Sequence, residues 1–579
     1  MNTSYEQPFL HFDFHTDIGQ PISFTQPIDI ISTSRIDDVL NCFRDVENAL
    51  DKGYYVAGYV SYEATYGIHS FENRYNFSKS TPLVWFGVFK DPCQKDLSNL
   101  KTTYEVDSWQ LAETETTYQK KFKNIIEKMR EKNIDQINYT LPFYTHFSGD
   151  SLAYYRDLRE NQRGSFSAFL HIGNQQILSI SPELFFQLDK ETITVKPMKG
   201  TIHRGKTYEE DLQLKEWLAS SHKNKSENEM VTKLMKKELA NIVEPSSLRV
   251  TEPFKIEQYP TVYQMISTIQ GKLREQIKIT DIFKALFPSS SISGVPKQKA
   301  VQLIRQFENT TRDVYCGAIG YITPLRQAIF NVPIRTVIID QSTNKAKFSA
   351  GGAITFYSNP TEEYAEILTK AKVLEIQQPF QLLETFGLKD GEFIVFHEHM
   401  KRLKNSALYF NFHIDISTIC ENLLSIKNNY RNGDYRVRLT VEKTGNYNIE
   451  ISELNPADNR FVKLAKNPID KNNIFHYHKT TNRSIYEKHM IDTNEVFDVL
   501  LWNEENEITE FTIGNVVVEL DGKLYTPPVQ CGLLPGTFRE KLLKDSMIEE
   551  RVINKDELKA CSNIYLINSV RQWVKVELL

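Results

Sequence analysis

The chain has 579 residues, 40% of them hydrophobic and 25% charged, an ordinary globular composition at a length beyond one hydrophobic core, so two or more domains are expected. With 69 basic and 74 acidic side chains its net charge is −5, which excludes the basic face that nucleic-acid binding needs and favours small-molecule partners. Met1–Leu10 lacks a basic segment leading into an apolar one, and no run approaches the ~18 apolar residues of a membrane span, so no membrane is expected and the expected location is cytoplasmic.

In chain order, SAFLHIG, QILSIS, LFFQLD and TITVKPM between Ser151 and Thr201 alternate as successive β-strands divided by polar turns. Helical periodicity follows over Glu209–Val243, where Met230, Val231, Leu234, Met235, Leu239 and Ile242 mark a face expected to pack on a sheet. Strands return in GAIGYIT, AIFNVPIRTVIID and KAKFSAGGAITF. A helix then begins at Asn359 as N-cap with Pro360 at its first position. It runs toward Gln377, Gln378 and Pro379, where a boundary is placed, giving domains 1–376 and 377–579. The second starts with a strand (FQLLETFGL), a turn, a helix (EHMKRLKNSALYF) and strands around YRVRLTVEK. Its roughly 200 residues suffice for a compact unit. The six cysteines (Cys42, Cys93, Cys316, Cys420, Cys531 and Cys561) have no CxxC spacing, so neither a disulfide framework nor a zinc site is expected.

On the helix after Asn359, Glu363 and Glu366 share a face and Lys370 follows one turn on. Alone, such a trio is more often a solvated ion pair than a site. AGGAI (Ala350–Ile354) and GAIGY (Gly317–Tyr321) could let backbone N–H groups approach an anion, or could be tight turns. Arg335, read as a strand residue, could offer a guanidinium fork to a carboxylate or form a structural ion pair.

With SPELF at Ser181, PMKGTIHRG at Pro197, KNKSENEMV at Lys223, FPSSSISGVPK at Phe287, GAIGYI at Gly317, NVPIRT at Asn331 and SAGGAITFYSNPTEEYAEILTKAK at Ser349, the first domain resembles the chorismate-utilising enzymes. These include anthranilate, isochorismate, salicylate and aminodeoxychorismate synthases. The resemblance implies an α+β fold of β-sheets flanked by helices. It implies a Mg²⁺ held by Glu227 and Glu366 with Glu363 in support, clamping the ring carboxylate of chorismate. Arg335, Lys370 and the Gly351 and Gly352 backbone would hold the other carboxylate, and Tyr321 and Thr201 are counted with the substrate pocket on the same ground. Glu183 would be the general acid for the departing ring hydroxyl. Lys199, in its P-x-K-G-T string, resembles the aminodeoxychorismate synthases, whereas anthranilate synthases carry a small residue there. A desolvated lysine is a nucleophile, so a covalent amination is implied. The chain departs from the family pattern at Lys233, at Lys236-Lys237-Glu238 (for Arg-Asn-Asp), at Gln264 (for histidine) and at Ser289-Ser290 (for a diglycine).

In the second domain YHKTTNR (Tyr477–Arg483) supplies a lysine among small polar residues, and ITEFTIGNVV a carboxylate leading into a Gly-Asn turn. Pyridoxal phosphate needs a lysine for its Schiff base, an acid for its pyridine nitrogen and donors for its phosphate. Through these strings and FQLLETF, EHMKRLKNSALYF, LLPGTFRE and INSVRQWVKV, the segment from Phe380 resembles fold-type-IV pyridoxal-phosphate enzymes, the aminodeoxychorismate lyases in particular. By that resemblance Lys479 would carry the Schiff base and move the ring proton. Glu510 would face the pyridine nitrogen, and Arg402, Ile513, Gly514 and Thr537 would cradle the phosphate. Arg436 and Arg438 alternate on one strand face and are left outside the site as a solvated pair.

Together the resemblances imply consecutive steps, from chorismate and ammonia to 4-amino-4-deoxychorismate, then to 4-aminobenzoate for folate synthesis with loss of pyruvate. The alternatives are an anthranilate- or salicylate-type front joined to a branched-chain or D-amino-acid aminotransferase-like rear, or a non-catalytic rear. No amidotransferase segment is recognised, so a separate glutamine amidotransferase subunit is expected, and a homodimer through the second domain is plausible.

Overall fold

In the computed structural model, residues 7–15, 20–69, 71, 81–94, 103–162, 164–376, 379–455, 460–490 and 496–579 are described. They fall into two units, one of residues 1–203 with 215–377, the other of 204–214 with 378–579. Gln377 and Gln378, at the expected boundary, lie outside the described residues.

The first unit is layered because its strands are apolar on both faces. Phe9–Phe14 is buried along its whole length. Leu10, Phe12 and Phe14 join a core with Ala57, Tyr59 and Trp85, while Phe9 packs the opposite way with Tyr118, Phe122 and Leu152 from helices. Period-two alternation thus faces two cores at once, as in a sheet covered on both sides. Two ten-stranded sheets result. One centres on Gln136–Gly149 paired antiparallel with Lys345–Thr355. The other runs from Met198–His203 through Val262–Lys272 to Tyr55–Val60 and beyond. Helices Glu115–Lys132, Ser151–Gln162 and Lys297–Phe307 cover the first. Helices Val39–Asp51, His222–Leu239 and Ile279–Leu286 cover the second. Each large side chain fully withdrawn from water in these layers contributes about 1.5–3 kcal/mol.

Two readings change. The helix expected over Glu209–Val243 is two, Tyr208–Ser220 and His222–Leu239, because the Ser221 side chain accepts from the Asn224 amide and caps a new start. Met235 and Leu239 are buried as expected, whereas Met230 is 67% exposed. The strand expected over AIFNVPIRTVIID is also two, Ala328–Asn331 in one sheet and Thr336–Asp340 in the other. Pro333 cannot donate to a ladder, and Arg335 turns the chain at φ 52°.

The second unit has a four-stranded antiparallel sheet around Leu382–Lys389 and Asp434–Val441 and an eight-stranded mixed sheet. The latter closes on itself where Ile508–Phe511 pairs with Asn515–Leu520 through Glu510 and Asn515. Residues 204–214 belong here. Arg204 donates to both Asp211 oxygens at 2.7 Å and to the Tyr409 carbonyl at 3.1 Å, and the Tyr409 hydroxyl donates to the Gly205 carbonyl at 2.7 Å.

Candidate active sites

In the first unit two crossings between sheets are stitched together. Ser181-Pro182-Glu183 leads from Gln175–Ser181 to Leu184–Asp189, and Val332–Arg335 makes the return crossing. The Ser181 hydroxyl donates to the Val332 carbonyl at 2.6 Å and the Val332 amide to the Glu183 carbonyl at 3.0 Å. Glu183 is buried, and the Ser291 hydroxyl donates to its Oε1 at 2.6 Å. Burial pushes its carboxyl up to about 7, against the Ser291 bond and the charges of Lys199 and Lys370. A carboxyl that keeps its proton near neutrality can deliver it to a leaving group.

Lys199 lies on an irregular strand whose pairing slips between Met198 and Thr201, with Gly200 at φ 94°. Its carbonyl accepts from the Asn228 amide at 3.1 Å. Asn228 also donates to the Met265 carbonyl and accepts from the Ser267 hydroxyl, so a fully buried amide fixes the lysine's backbone. Burial lowers the Lys199 pKa. Glu227, Glu366 and Glu363 oppose that shift and Lys370 adds to it. The structure therefore gathers Glu183, Lys199, Glu227, Glu363, Glu366 and Lys370 into one electrostatic neighbourhood.

Within it Lys370 is already engaged, with Glu366 at 2.7 Å and the Gly351 carbonyl at 2.7 Å. Gly351 therefore meets Lys370 as an acceptor. At Gly352 an added Cβ would sit 2.7 Å from Glu363 Oε2, so the missing side chain is what lets that carboxylate approach the strand. Glu363 is raised by burial, with Glu366 adding to the shift. Among the described residues no three metal-ligating side chains are gathered in one group. Magnesium, however, takes one or two carboxylates plus waters, and the neighbouring carboxylates Glu363 and Glu366 fit that demand.

Arg335 is not displayed by a strand. Its guanidinium lies over the Tyr259 ring, 5.7 Å from the centroid, and its Nη1 is buried without a hydrogen-bond partner. An orphaned buried cationic donor is costly, and a substrate carboxylate would satisfy it. One predicted pocket residue, Tyr321, falls elsewhere. Tyr321 is buried among Phe12, Phe14 and Phe24 in the aromatic core between the sheets. Thr201 is exposed and donates to Gln264 Oε1 at 3.0 Å. GAIGY is likewise packing, since Gly320 faces Gly58 across the strands and a Cβ there would lie 2.0 Å from the Ile329 carbonyl. Two departures from the family pattern compensate one another. Glu238, one methylene longer than aspartate, accepts from the Ser290 hydroxyl at 2.7 Å and pairs with Lys297 at 2.9 Å.

In the second unit Lys479, Glu510, Arg402, Ile513, Gly514 and Thr537 all line one cavity of about 440 Å³, a volume suited to a small cofactor with substrate. Lys479 follows His478 in a loop tied to the Leu382–Lys389 strand by the Leu383 amide donating to the Lys479 carbonyl at 3.0 Å. Burial brings its amine down to about 8, helped by Arg402 and opposed by Glu384 and Glu510. Glu510 sits at the pair that closes the sheet. It accepts from the Tyr486 hydroxyl at 2.9 Å and from Asn515 at 3.3 Å, and burial pushes it up to about 8. A carboxyl so placed would be held ionised by a cationic ring N–H. Arg402 forks onto Glu384 at 2.9 and 2.6 Å, and Thr537 opens the helix Thr537–Lys544. The Ile513 amide donates to Asp498 at 3.2 Å, and Ile513 lines the cavity wall.

Sequence reasoning missed Ser291, Asn228, Glu384 and Tyr486, which act through hydrogen bonds to residues distant in the chain. It also set aside Arg436 and Arg438, which line the cavity together with Arg571. Their alternation was the available signal, and a cavity over that strand face is what sequence does not show.

Residues 15–375 match the chorismate binding enzymes, and the chain belongs to that family. Residues 381–579 match the class IV amino-transferases, so a second catalytic fold is joined to the first. Aminodeoxychorismate synthase component 1 of Salmonella typhimurium is 34% identical over 282 residues, covering 48% of this chain and 61% of that protein. Its Escherichia coli counterpart is 35% identical over 263 residues, covering 45% and 57%. The chain thus spans about three fifths of the length of these relatives. Anthranilate synthase component I from Streptococcus pneumoniae superposes with a TM-score of 0.53 at 20% identity, covering 65% of this chain and 93% of that one, a likeness of fold. Among the described residues no helix is long and apolar enough to cross a membrane.

Proposed function

We propose that the chain converts chorismate and ammonia to 4-amino-4-deoxychorismate in its first unit and releases pyruvate from that product in its second, giving 4-aminobenzoate for folate synthesis. The observation that carries the reading is the half-buried Lys199 within electrostatic reach of the buried Glu183, an amine lowered and a carboxyl raised by burial. In the first unit the neutral Lys199 amine attacks ring C2, both ring double bonds move one position, and the 4-hydroxyl departs as water with the Glu183 proton. Ammonia then adds at C4, both double bonds return, the lysine leaves as an amine, and the proton shed by the added nitrogen restores Glu183. Arg335 receives a substrate carboxylate on its orphaned Nη1. Glu227 and Glu366, with Glu363 in support, would hold a Mg²⁺, which supplies charge for the other carboxylate.

In the second unit Lys479, Glu510, Arg402 and Thr537 would hold pyridoxal phosphate, whose ring supplies an electron sink. Lys479 moves the proton from the substrate's C4, and Glu510 keeps its carboxylate toward the ring nitrogen. Arg436, Arg438 and Arg571 give the cavity cations for a substrate that is a dicarboxylate. Its similarity to proteins named component 1 supports a separate glutamine amidotransferase subunit as the ammonia source. A homodimer through the second unit and a cytoplasmic location belong to the same reading.

The test is incubation with chorismate, Mg²⁺, ammonium and pyridoxal phosphate, with products identified by mass spectrometry. 4-Aminobenzoate and pyruvate in equal amounts are expected. Anthranilate or salicylate would overturn the assignment of the first unit, and 4-amino-4-deoxychorismate without 4-aminobenzoate that of the second.

A further inference from the structure

Behind the wall of the second unit's cavity lies His399, 1% exposed, on the helix Phe396–Phe410. It does not line the cavity, yet it contacts groups that do. Its Nδ1 is 2.6 Å from Glu384 Oε2, and the same carboxylate holds the Arg402 fork. Its Nε2 is 3.1 Å from the Thr537 hydroxyl and 2.8 Å from the Ser569 hydroxyl. Arg402, Thr537 and Ser569 all line the cavity. One imidazole therefore joins the arginine and the helix-start hydroxyl that would meet an anion.

Proton accounting gives the arrangement a direction. A carboxylate only accepts, so Nδ1 is assigned the hydrogen, and Nε2 of the neutral ring is left as acceptor for a single hydroxyl proton. Two hydroxyls compete for it. Ser569 has a second acceptor, the Thr385 carbonyl at 3.1 Å. Thr537 can thus donate to Nε2 while Ser569 donates to Thr385. When a phosphate arrives, Thr537 can turn its proton to a phosphate oxygen while Ser569 turns to Nε2. Both hydroxyl protons and the imidazole nitrogen keep a partner in either state, which is what a change of partner in a dry site requires.

Resting on the reading that this cavity takes pyridoxal phosphate, we propose that His399 is a positioning residue for the phosphate group, exchanging the hydroxyls of Thr537 and Ser569 on Nε2 and steadying Arg402 through Glu384. Its effect falls on the phosphate end of the cofactor alone.

The experiment compares the affinity of the full chain for pyridoxal phosphate and for pyridoxal, by equilibrium dialysis and the absorbance of the lysine adduct. Both aldehydes engage Lys479, so the ratio of affinities isolates the phosphate. In His399→Asn the amide still reaches Glu384 but not Thr537. We expect pyridoxal phosphate to bind about tenfold more weakly with pyridoxal unchanged, the scale of one hydrogen bond to a charged group. His399→Gln, whose amide reaches the Nε2 position, should recover much of the ratio. An unchanged ratio in His399→Asn, or an equal loss for both aldehydes, would overturn the proposal. If the parent chain binds neither aldehyde, the cofactor reading fails instead.

Discussion

Ser291→Ala isolates the control of the proton on Glu183. The 2.6 Å bond from the Ser291 hydroxyl favours the ionised carboxylate, while burial favours the acid and wins, leaving the group at about 7. Removing the hydroxyl removes a stabiliser of the charged form, so the pKa rises further. A hydrogen bond to a charged group contributes about 1.5–3 kcal/mol, and one pKa unit corresponds to about 1.4 kcal/mol, so the expected displacement is about 1–2 units upward. The group acts as its acid, so its activity is lost as pH rises through this value, and the alkaline limb of the amination profile should move to higher pH. The assay is the initial rate of 4-amino-4-deoxychorismate formation against pH at fixed free ammonia, analysed as a pair of macroscopic pKa values. An alkaline limb that stays in place, or moves down, would refute the assignment of Glu183 as general acid under Ser291.

Gly352→Ala places a Cβ 2.7 Å from Glu363 Oε2. The Mg²⁺ concentration for half-maximal amination should rise about tenfold, as when a metal ligand's support is lost, with pyruvate release from supplied 4-amino-4-deoxychorismate unchanged. Glu510→Gln removes the carboxylate without emptying its place, and single-turnover release of pyruvate should slow by about 10² or more while the lysine adduct still forms. Arg204→Ala leaves Asp211, 2% exposed, without its bidentate partner. Breaking such a buried pair costs about 3–5 kcal/mol, so calorimetry should show the second unit unfolding at lower temperature, and Arg204→Lys should recover only part of the loss.

The strand and helix texture was legible wherever burial is periodic. Phe166–Ile172, Gln175–Ser181 and Leu184–Asp189 appear where alternation placed them, and so does the helix start at Asn359, whose side chain accepts from Thr361 and Glu362. The break at Arg335 was not legible. Valines and isoleucines on either side of Pro333 read as one strand, while the residues belong to different sheets. Of the site, the residues inside matching strings came together around Lys199 and around Lys479. Tyr321 did not, because a string can be kept for packing, and its ring fills the core between the sheets. Asn228, Ser291 and His399 were invisible as functional residues because each acts through hydrogen bonds that reach along the chain, among them those to partners 29, 108 and 15 positions away. Nothing local in sequence reports such a pairing.

Division of labour between two amines is tested most directly by mixing two inactive variants at low ammonia, with Mg²⁺, chorismate and pyridoxal phosphate. Lys199→Ala alone should form little 4-amino-4-deoxychorismate, and Lys479→Ala alone should accumulate that compound without 4-aminobenzoate. Mixed, they should form 4-aminobenzoate, since each supplies the step the other lacks. Full activity of Lys479→Ala alone, or a mixture that accumulates intermediate and never forms 4-aminobenzoate, would contradict the account.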